Sequence, residues 1–129
     1  MQNETNRKLA TVRRILEINP IENADSIERI TVDGWNVVGR KEEYSVGHLV
    51  IYLEIDSWVP TEVADFLSKG KEPRVFNEVK GERLRSIKLR GQLSQGMLLP
   101  VSSVNLQVNE GDDLTEFLGI QKWEKPMNA

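Results

Sequence analysis

The stretch Leu49-Val50-Ile51-Tyr52-Leu53-Glu54-Ile55 constrains the fold most. Leu49, Ile51, Leu53 and Ile55 alternate with Val50, Tyr52 and Glu54, and period two is the mark of a strand with one buried face. Weaker copies of the pattern recur. Ala10, Val12, Leu16 and Ile18 fall on one side of a long first strand, with Arg13, Ile15 and Glu17 on the other. Ile30 and Val32 alternate with Arg29 and Thr31, and Val37-Val38 reads as a short strand. Asp33-Gly34 between two such runs predicts a hairpin. Turn residues punctuate the rest, at Asn19-Pro20, Asn23-Ala24-Asp25, Gly47, Gly70, Gly81, Gly91, Gly96 and Gly111. Helix signals are short. One starts at Thr61 and stops before Gly70; a second spans 112–118 with Gly119 as its stop.

Five or six short strands and two short helices predict an all-β chain with short helices. A five-stranded Greek-key β-barrel of the OB-fold type fits best, and an SH3-like barrel competes with it on pattern alone. At 129 residues the chain makes one domain. Its longest apolar runs, such as Leu49–Leu53, are too short to span a bilayer, so no membrane partner is expected. Residues 1–8 lack the apolar core of a secretory signal. Cysteine is absent, which excludes disulfides, zinc thiolates and cysteine nucleophiles, and the lone His48 excludes a multi-histidine metal site. These features fit an intracellular protein, cytoplasmic or nuclear.

Charge is unevenly spread. Residues 69–90 hold eight Lys/Arg against three acids, a net +5, while the whole chain is −3. An acidic chain that gathers its positive charge in one segment points to a polyanion, although a charge run is also an ordinary solvated face. Arg74, Lys80, Arg83, Arg85, Lys88 and Arg90 are the expected phosphate contacts. Lys88 and Arg90 share one strand face opposite Ile87 and Leu89, and a register change between 84 and 87 would bring Arg83 and Arg85 to the same side. Gln92, Ser94 and Gln95 read as a polar turn after Arg90, suited to sugar or phosphate oxygens or to turn chemistry alone. Tyr52, opposite the Leu49–Leu53 core face, and Phe76, within the basic segment, are the best base-stacking candidates. Trp35, Trp58 and Trp123 suit packing better. Nothing in the spacing of Asp33, Glu54 and Asp56 requires a metal or an acid–base pair, so neither a metal site nor a catalytic residue is assigned. Residues 68–86 read as a long excursion between strands.

Longer strings carry a family resemblance. Arg7-Lys8-Leu9-Ala10-Thr11-Val12-Arg13-Arg14-Ile15, Asn23-Ala24-Asp25-Ser26-Ile27, Tyr44-Ser45-Val46-Gly47-His48-Leu49-Val50, Glu54-Ile55-Asp56-Ser57-Trp58-Val59-Pro60 and Leu89-Arg90-Gly91-Gln92-Leu93-Ser94-Gln95-Gly96 resemble one known module. It is the OB domain that precedes the nucleotidyltransferase domain in the fifth family of ATP-dependent RNA ligases. A second, weaker similarity is to the tRNA-binding OB domains of phenylalanyl-tRNA synthetase β chains. The ligase resemblance implies an OB domain over 1–119, with 120–129 as an exit segment toward a nucleotidyltransferase domain. It also implies a module that grips an RNA-containing duplex and orients its 5′-phosphate end, acting as a monomer. Such ligases attach AMP to the lysine of a Lys-x-Asp-Gly motif, using ATP and Mg or Mn. Here Thr31-Val32-Asp33-Gly34 places a threonine at the nucleophile position, so the chain alone carries no ligase chemistry and needs no cofactor. The alternatives are a tRNA-binding module and an interaction module docked on its own ligase domain.

Overall fold

A computed structural model describes residues 8–68 and 70–125. Arg7, Lys69 and residues 126–129, which belong to the strings and segments read above, lie outside the described residues.

Five strands form the central sheet. They are β1 (Ala10–Pro20), β2 (Ile27–Val32), β3 (Trp35–Arg40), β4 (Leu49–Leu53) and, much later in the chain, β10 (Met97–Pro100). Their order is β10-β4-β1-β2-β3, antiparallel throughout. β1 serves both halves. Ala10–Arg14 pair with β4, and Ile15–Pro20 pair with β2, with a register shift between Ile15 and Glu17. Such a bulge bends the strand and lets the sheet curl. The edge strands β3 and β10 approach each other without forming a ladder, and the open line between them is called the seam below. The result is a partly open, five-stranded barrel of the OB type.

Between β4 and β10 the chain builds a second layer. β5 (Ser57–Pro60), β6 (Arg74–Phe76) and β7 (Val79–Arg83) pair in the order β5-β7-β6, a 3-10 turn covers Asp65–Ser68, and β8 (Ile87–Leu89) pairs with β9 (Gln92–Ser94) as a hairpin. The excursion expected over 68–86 is therefore a strand hairpin, and the helix expected from Thr61 is a turn followed by that 3-10 segment. The helix expected over 112–118 survives as one turn, α1 (Thr115–Leu118), closed by Gly119 at φ 70. Thr115 Oγ1 accepts from the Leu9 and Ala10 backbone N–H groups at 2.9 and 3.1 Å, which ties this turn to the start of β1.

The second layer explains a burial pattern that alternation does not reveal. Ala10, Val12, Ile51, Leu53 and Leu99 pack outward against Val59, Ala64, Leu84, Leu114 and Ile120. Ile15, Ile30, Val32, Val37, Val50 and Tyr52 fill the barrel interior. β4 is thus buried on both faces. Tyr52, read as lying opposite the core, lies inside it at 3% exposure and donates its hydroxyl to Gln95 O at 2.8 Å. The bulge likewise overturns the reading of β1. Leu16 is 52% exposed, Ile15 faces inward, opposite Ala10 and Val12, and the bulge brings Ile18 to the same inner face as Ile15.

Residues 120–123 belong to the second layer. Ile120 is buried, β11 (Gln121–Lys122) pairs with β5, and Trp123 N donates to Asp56 O. Among the described residues no helix is long and apolar enough to cross a membrane.

Gly96 is required by the backbone. Its φ is +106, and a Cβ there would meet Leu53 O at 2.5 Å and the Tyr52 ring at 2.6 Å. Gly91, at φ +81, has open space around it. Gly96→Ala should therefore cost about 3 kcal/mol, and Gly91→Ala about 1 kcal/mol, measured by urea unfolding. The interior tyrosines set the alkaline limit. Burial, with Glu43 adding, pushes the Tyr44 hydroxyl up to about 12. Burial, with Glu54 and Asp33 adding, raises the Tyr52 hydroxyl further. The unfolded chain releases these protons first, near pH 10, so stability present below pH 10 falls as pH rises toward 12. Tyr44→Phe should flatten that fall by up to about 1.4 kcal/mol per pH unit. A Tyr44→Phe variant with the wild-type slope above pH 10 would contradict this.

Candidate nucleic-acid interface

The β8–β9 hairpin is the projecting feature of the basic segment. Its loop is Arg90-Gly91, with φ of 51 and 81. Two positive φ values in a two-residue loop make the type I′ turn that matches strand twist. Arginine pays a steric cost in the left-handed region, where asparagine or glycine fits better. Its presence at the tip is a reason to look for use rather than fold. The pairs Ile87↔Ser94 and Leu89↔Gln92 put those side chains on one hairpin face, and Lys88↔Leu93 occupy the other.

The polar residues read as a turn divide between two roles. Ser94 is buried, and its Oγ accepts from Val38 N at 2.9 Å. Gln95 N donates to Asn36 O at 2.9 Å. These two bonds pin the hairpin along β3, so Ser94 and the Gln95 backbone hold the fold. Among the described residues the Gln92 side chain bonds only the adjacent Leu93 carbonyl, at 2.9 Å.

The six expected cations also divide. Arg83 is committed. Its Nη2 and Nε lie 2.7 and 2.8 Å from Asp56 Oδ1, and its guanidinium sits 3.9 Å from the centre of the Trp123 ring. Arg74 pairs with Glu82 at 3.3 Å, and Lys80 lies 4.0 Å from Glu72. Arg85, Lys88 and Arg90 are exposed and make no ion pair with another described residue. Arg83 therefore leaves the row expected with Arg85, Lys88 and Arg90. Lys88 takes the outer hairpin face, and Arg90 the tip.

The aromatic candidates exchange places. Tyr52 offers no face to a base. Phe76 leans on Trp58 at 5.4 Å, and Trp58 is buried with its Nε1 donating to Val79 O. Trp35 instead opens β3 at 38% exposure and stacks on Tyr52, centroids 6.3 Å apart. Its partner is hidden from a sequence reading because the two residues lie on strands that only the folded barrel brings together.

Between the hairpin, the seam and the second layer runs an open groove of about 1020 Å³. Ile87 and Leu89 line it from the hairpin, Met97 and Leu99 from β10, and Arg40, Lys71 and Arg85 from its edges. Arg40 ends β3, opposite Ile27. No local signal joins it to the basic segment, because only the fold brings them together.

A family model described as an OB-fold domain matches residues 9–101. That span starts one residue before β1 and ends one residue after β10. The chain belongs to the OB-fold domain family. Among solved structures, Naegleria gruberi RNA ligase with PPi matches with a TM-score of 0.85 and 44% identity, over 95% of this chain and 37% of that chain. A mutant of the same ligase with ATP and Mn matches with a TM-score of 0.85 and 44% identity, over 94% of this chain and 37% of that one. The chain thus spans about 37% of the length of the ligase it matches. No curated protein sequence matches it.

The side chains of the Thr31-Val32-Asp33-Gly34 string are committed to the fold. The Thr31 hydroxyl is spent on Asn36 Oδ1 at 2.8 Å, and Asp33 pairs with Arg13 at 3.2 Å. Asp56 is held by Arg83. Among the described residues no three His, Asp or Glu gather to hold a metal ion.

Arg83→Ala should cost about 1–2 kcal/mol of OB-domain stability, because it removes a partly screened ion pair and a cation–π contact. Arg85→Ala should stay within about 0.5 kcal/mol of wild type. Thermal unfolding of both variants checks the contrast.

Proposed function

We propose that this OB domain is the nucleic-acid-binding module of an ATP-dependent RNA ligase. It would act beside a C-terminal nucleotidyltransferase domain, grip an RNA-containing duplex and orient the 5′-phosphate end for adenylate transfer and sealing. The observation that carries the reading is 44% identity to an RNA ligase over 95% of the chain. Charge supports it. Lys88 and Arg90 are free cations on the hairpin and Arg85 a third just before it, and arginine's planar fork suits phosphate oxygens. Gln92, paired with Leu89 on the hairpin face opposite Lys88, would add a sugar or phosphate contact beside the Arg90 tip. Positioning of this kind can supply much of a phosphoryl-transfer rate without reactive groups.

In this reading ATP and Mn or Mg belong to the partner domain. The module works as a monomer, in the cytoplasm or nucleus, in RNA repair. The handover to the partner domain would come after Trp123, since β11 and Trp123 are built into the second layer.

The expected behaviour is salt-sensitive binding of a blunt RNA-containing duplex. Counterion release gives a log–log slope of about −0.9 per phosphate on duplex B-DNA, so contacts from the three free cations predict a slope near −3. Arg85→Ala with Arg90→Ala should weaken binding and make the slope shallower by about two units, with the fold intact. Unchanged affinity and slope in that double variant would remove this face as the binding site.

A further inference from the structure

We infer that Arg83 is a positioning residue. With Asp56 and Trp123 it clamps the chain as it leaves the OB domain, and so fixes the direction of departure relative to the cationic hairpin. The inference rests on the reading above, in which a nucleotidyltransferase domain follows, and names the device that would orient it. The clamp is a closed triangle. Trp123 N donates to Asp56 O at 2.8 Å. The Arg83 guanidinium lies 3.9 Å from the centre of the Trp123 ring. Its Nη2 and Nε reach back to Asp56 Oδ1 at 2.7 and 2.8 Å. Asp56 thus holds Trp123 twice, directly through its backbone carbonyl and indirectly through Arg83. One contact restrains the backbone of Trp123 and the other its ring, so the residue is fixed in place and in rotation.

Sealing the core does not account for the clamp. Ile120, at 5% exposure, already packs into the core three residues earlier. β11 is two residues long and lies at the edge of its sheet, and a strand that short frays unless it is held. It is held at two points, by Asn77 Nδ2 on Gln121 Oε1 at 2.9 Å and by the Trp123 clamp. A guanidinium kept flat on an indole ring by a carboxylate is directional, as a lysine in its place is not. The location of Arg83 gives the clamp its second role. Asp56 N donates to Leu84 O at 2.7 Å, and Leu84 N donates to Ser57 O at 2.9 Å. These bonds fix the backbone directly after Arg83, where Leu84 is buried. Arg85 is the next residue and the first of the free cations. The exit of the chain and the grip on phosphate are therefore mounted on either side of Leu84, on one rigid strand end. A following domain that acts on a phosphate held at Arg85 needs that fixed geometry, since a drift of about 1 Å already costs catalysis by orientation.

The test exploits the absence of cysteine from the chain. Leu93→Cys on the outer hairpin face and Glu124→Cys just past the clamp, both exposed positions, carry a pair of spin labels. Pulsed electron–electron double resonance on the whole chain reads the distances between them. With Arg83 in place the distances should form one narrow peak. Arg83→Ala should lose that peak to a broad distribution, and so should Trp123→Leu, with circular dichroism confirming the fold. Arg83→Lys, which keeps the charge without the flat fork, should fall between. A residue that only stabilised the fold would lower the melting temperature and leave the native-state distances narrow. Unlabelled Arg83→Ala should bind the blunt RNA-containing duplex with wild-type affinity and salt slope. A broad distribution with Arg83 in place, or a peak that stays narrow in Arg83→Ala or in Trp123→Leu, would overturn the clamp and leave the RNA reading standing. Lost duplex affinity in Arg83→Ala would make Arg83 an RNA contact and overturn its positioning role. No duplex binding by wild type would overturn both.

Discussion

The register shift between Ile15 and Glu17 is the constraint on which the rest of the structure depends. Without it, β1 would keep one register along its whole length. Its eleven residues would then continue in one plane. The shift lets Ala10–Arg14 stay with β4 while Ile15–Pro20 turn to β2, so one strand belongs to both halves of the barrel. It also decides which side chains go inward. Before the shift Ala10 and Val12 face the second layer and Ile15 the barrel interior; after it Ile18 joins Ile15 on the interior face. Curling the sheet in this way leaves β3 and β10 near each other with their edges unpaired. The groove exists because the barrel closes at β1 and stays open at the seam.

The barrel strands were legible because period two is a local signal. Ile30, Val32 and the Asp33-Gly34 turn announce β2, the hairpin and β3 without help from the rest of the chain. Burial was less legible. Val50 and Tyr52 looked like an outer face, since alternation assumes one wet side. The second layer removes that side, and its strands are only two to five residues long, too short to show a period. Ile18 departs from the Ala10 and Val12 face for a different reason: a bulge adds one residue and inverts every later side chain. At the site, clustered charge marked the right segment. It did not show which cations are spent, because Asp56 and Trp123 reach Arg83 from distant positions.

That division of cations is the physical core of the site. Arg83 lies between Asp56 and Trp123, at 25% side-chain exposure, and its charge is used within the domain. It holds β7 to the turn after β4 and to the chain beyond β11. Arg85, two residues on, carries the same group into solvent. A shared sequence run thus contains a structural cation and a free one, separated by the buried Leu84, which fixes the chain between them. Counting charge along the sequence overstates the number available to a phosphate, and the ion-pair geometry corrects the count.

The hairpin closes the argument from local chemistry to function. Two strands of three residues are marginal alone, and this pair shows three large aliphatic side chains to solvent. It is held by the type I′ turn, by Ser94 Oγ on Val38 N and by Gln95 on Asn36. Gly96 then lets the chain pass against the Tyr52 ring into β10. Stability alone would favour polar residues at Ile87, Leu89 and Leu93, and asparagine or glycine at Arg90. The chain has the opposite choice at all four positions, on an element anchored along one edge and open along the other. Residues that cost stability at the tip of a pinned hairpin, with free cations around them, are what the proposed contact with an anionic ligand requires.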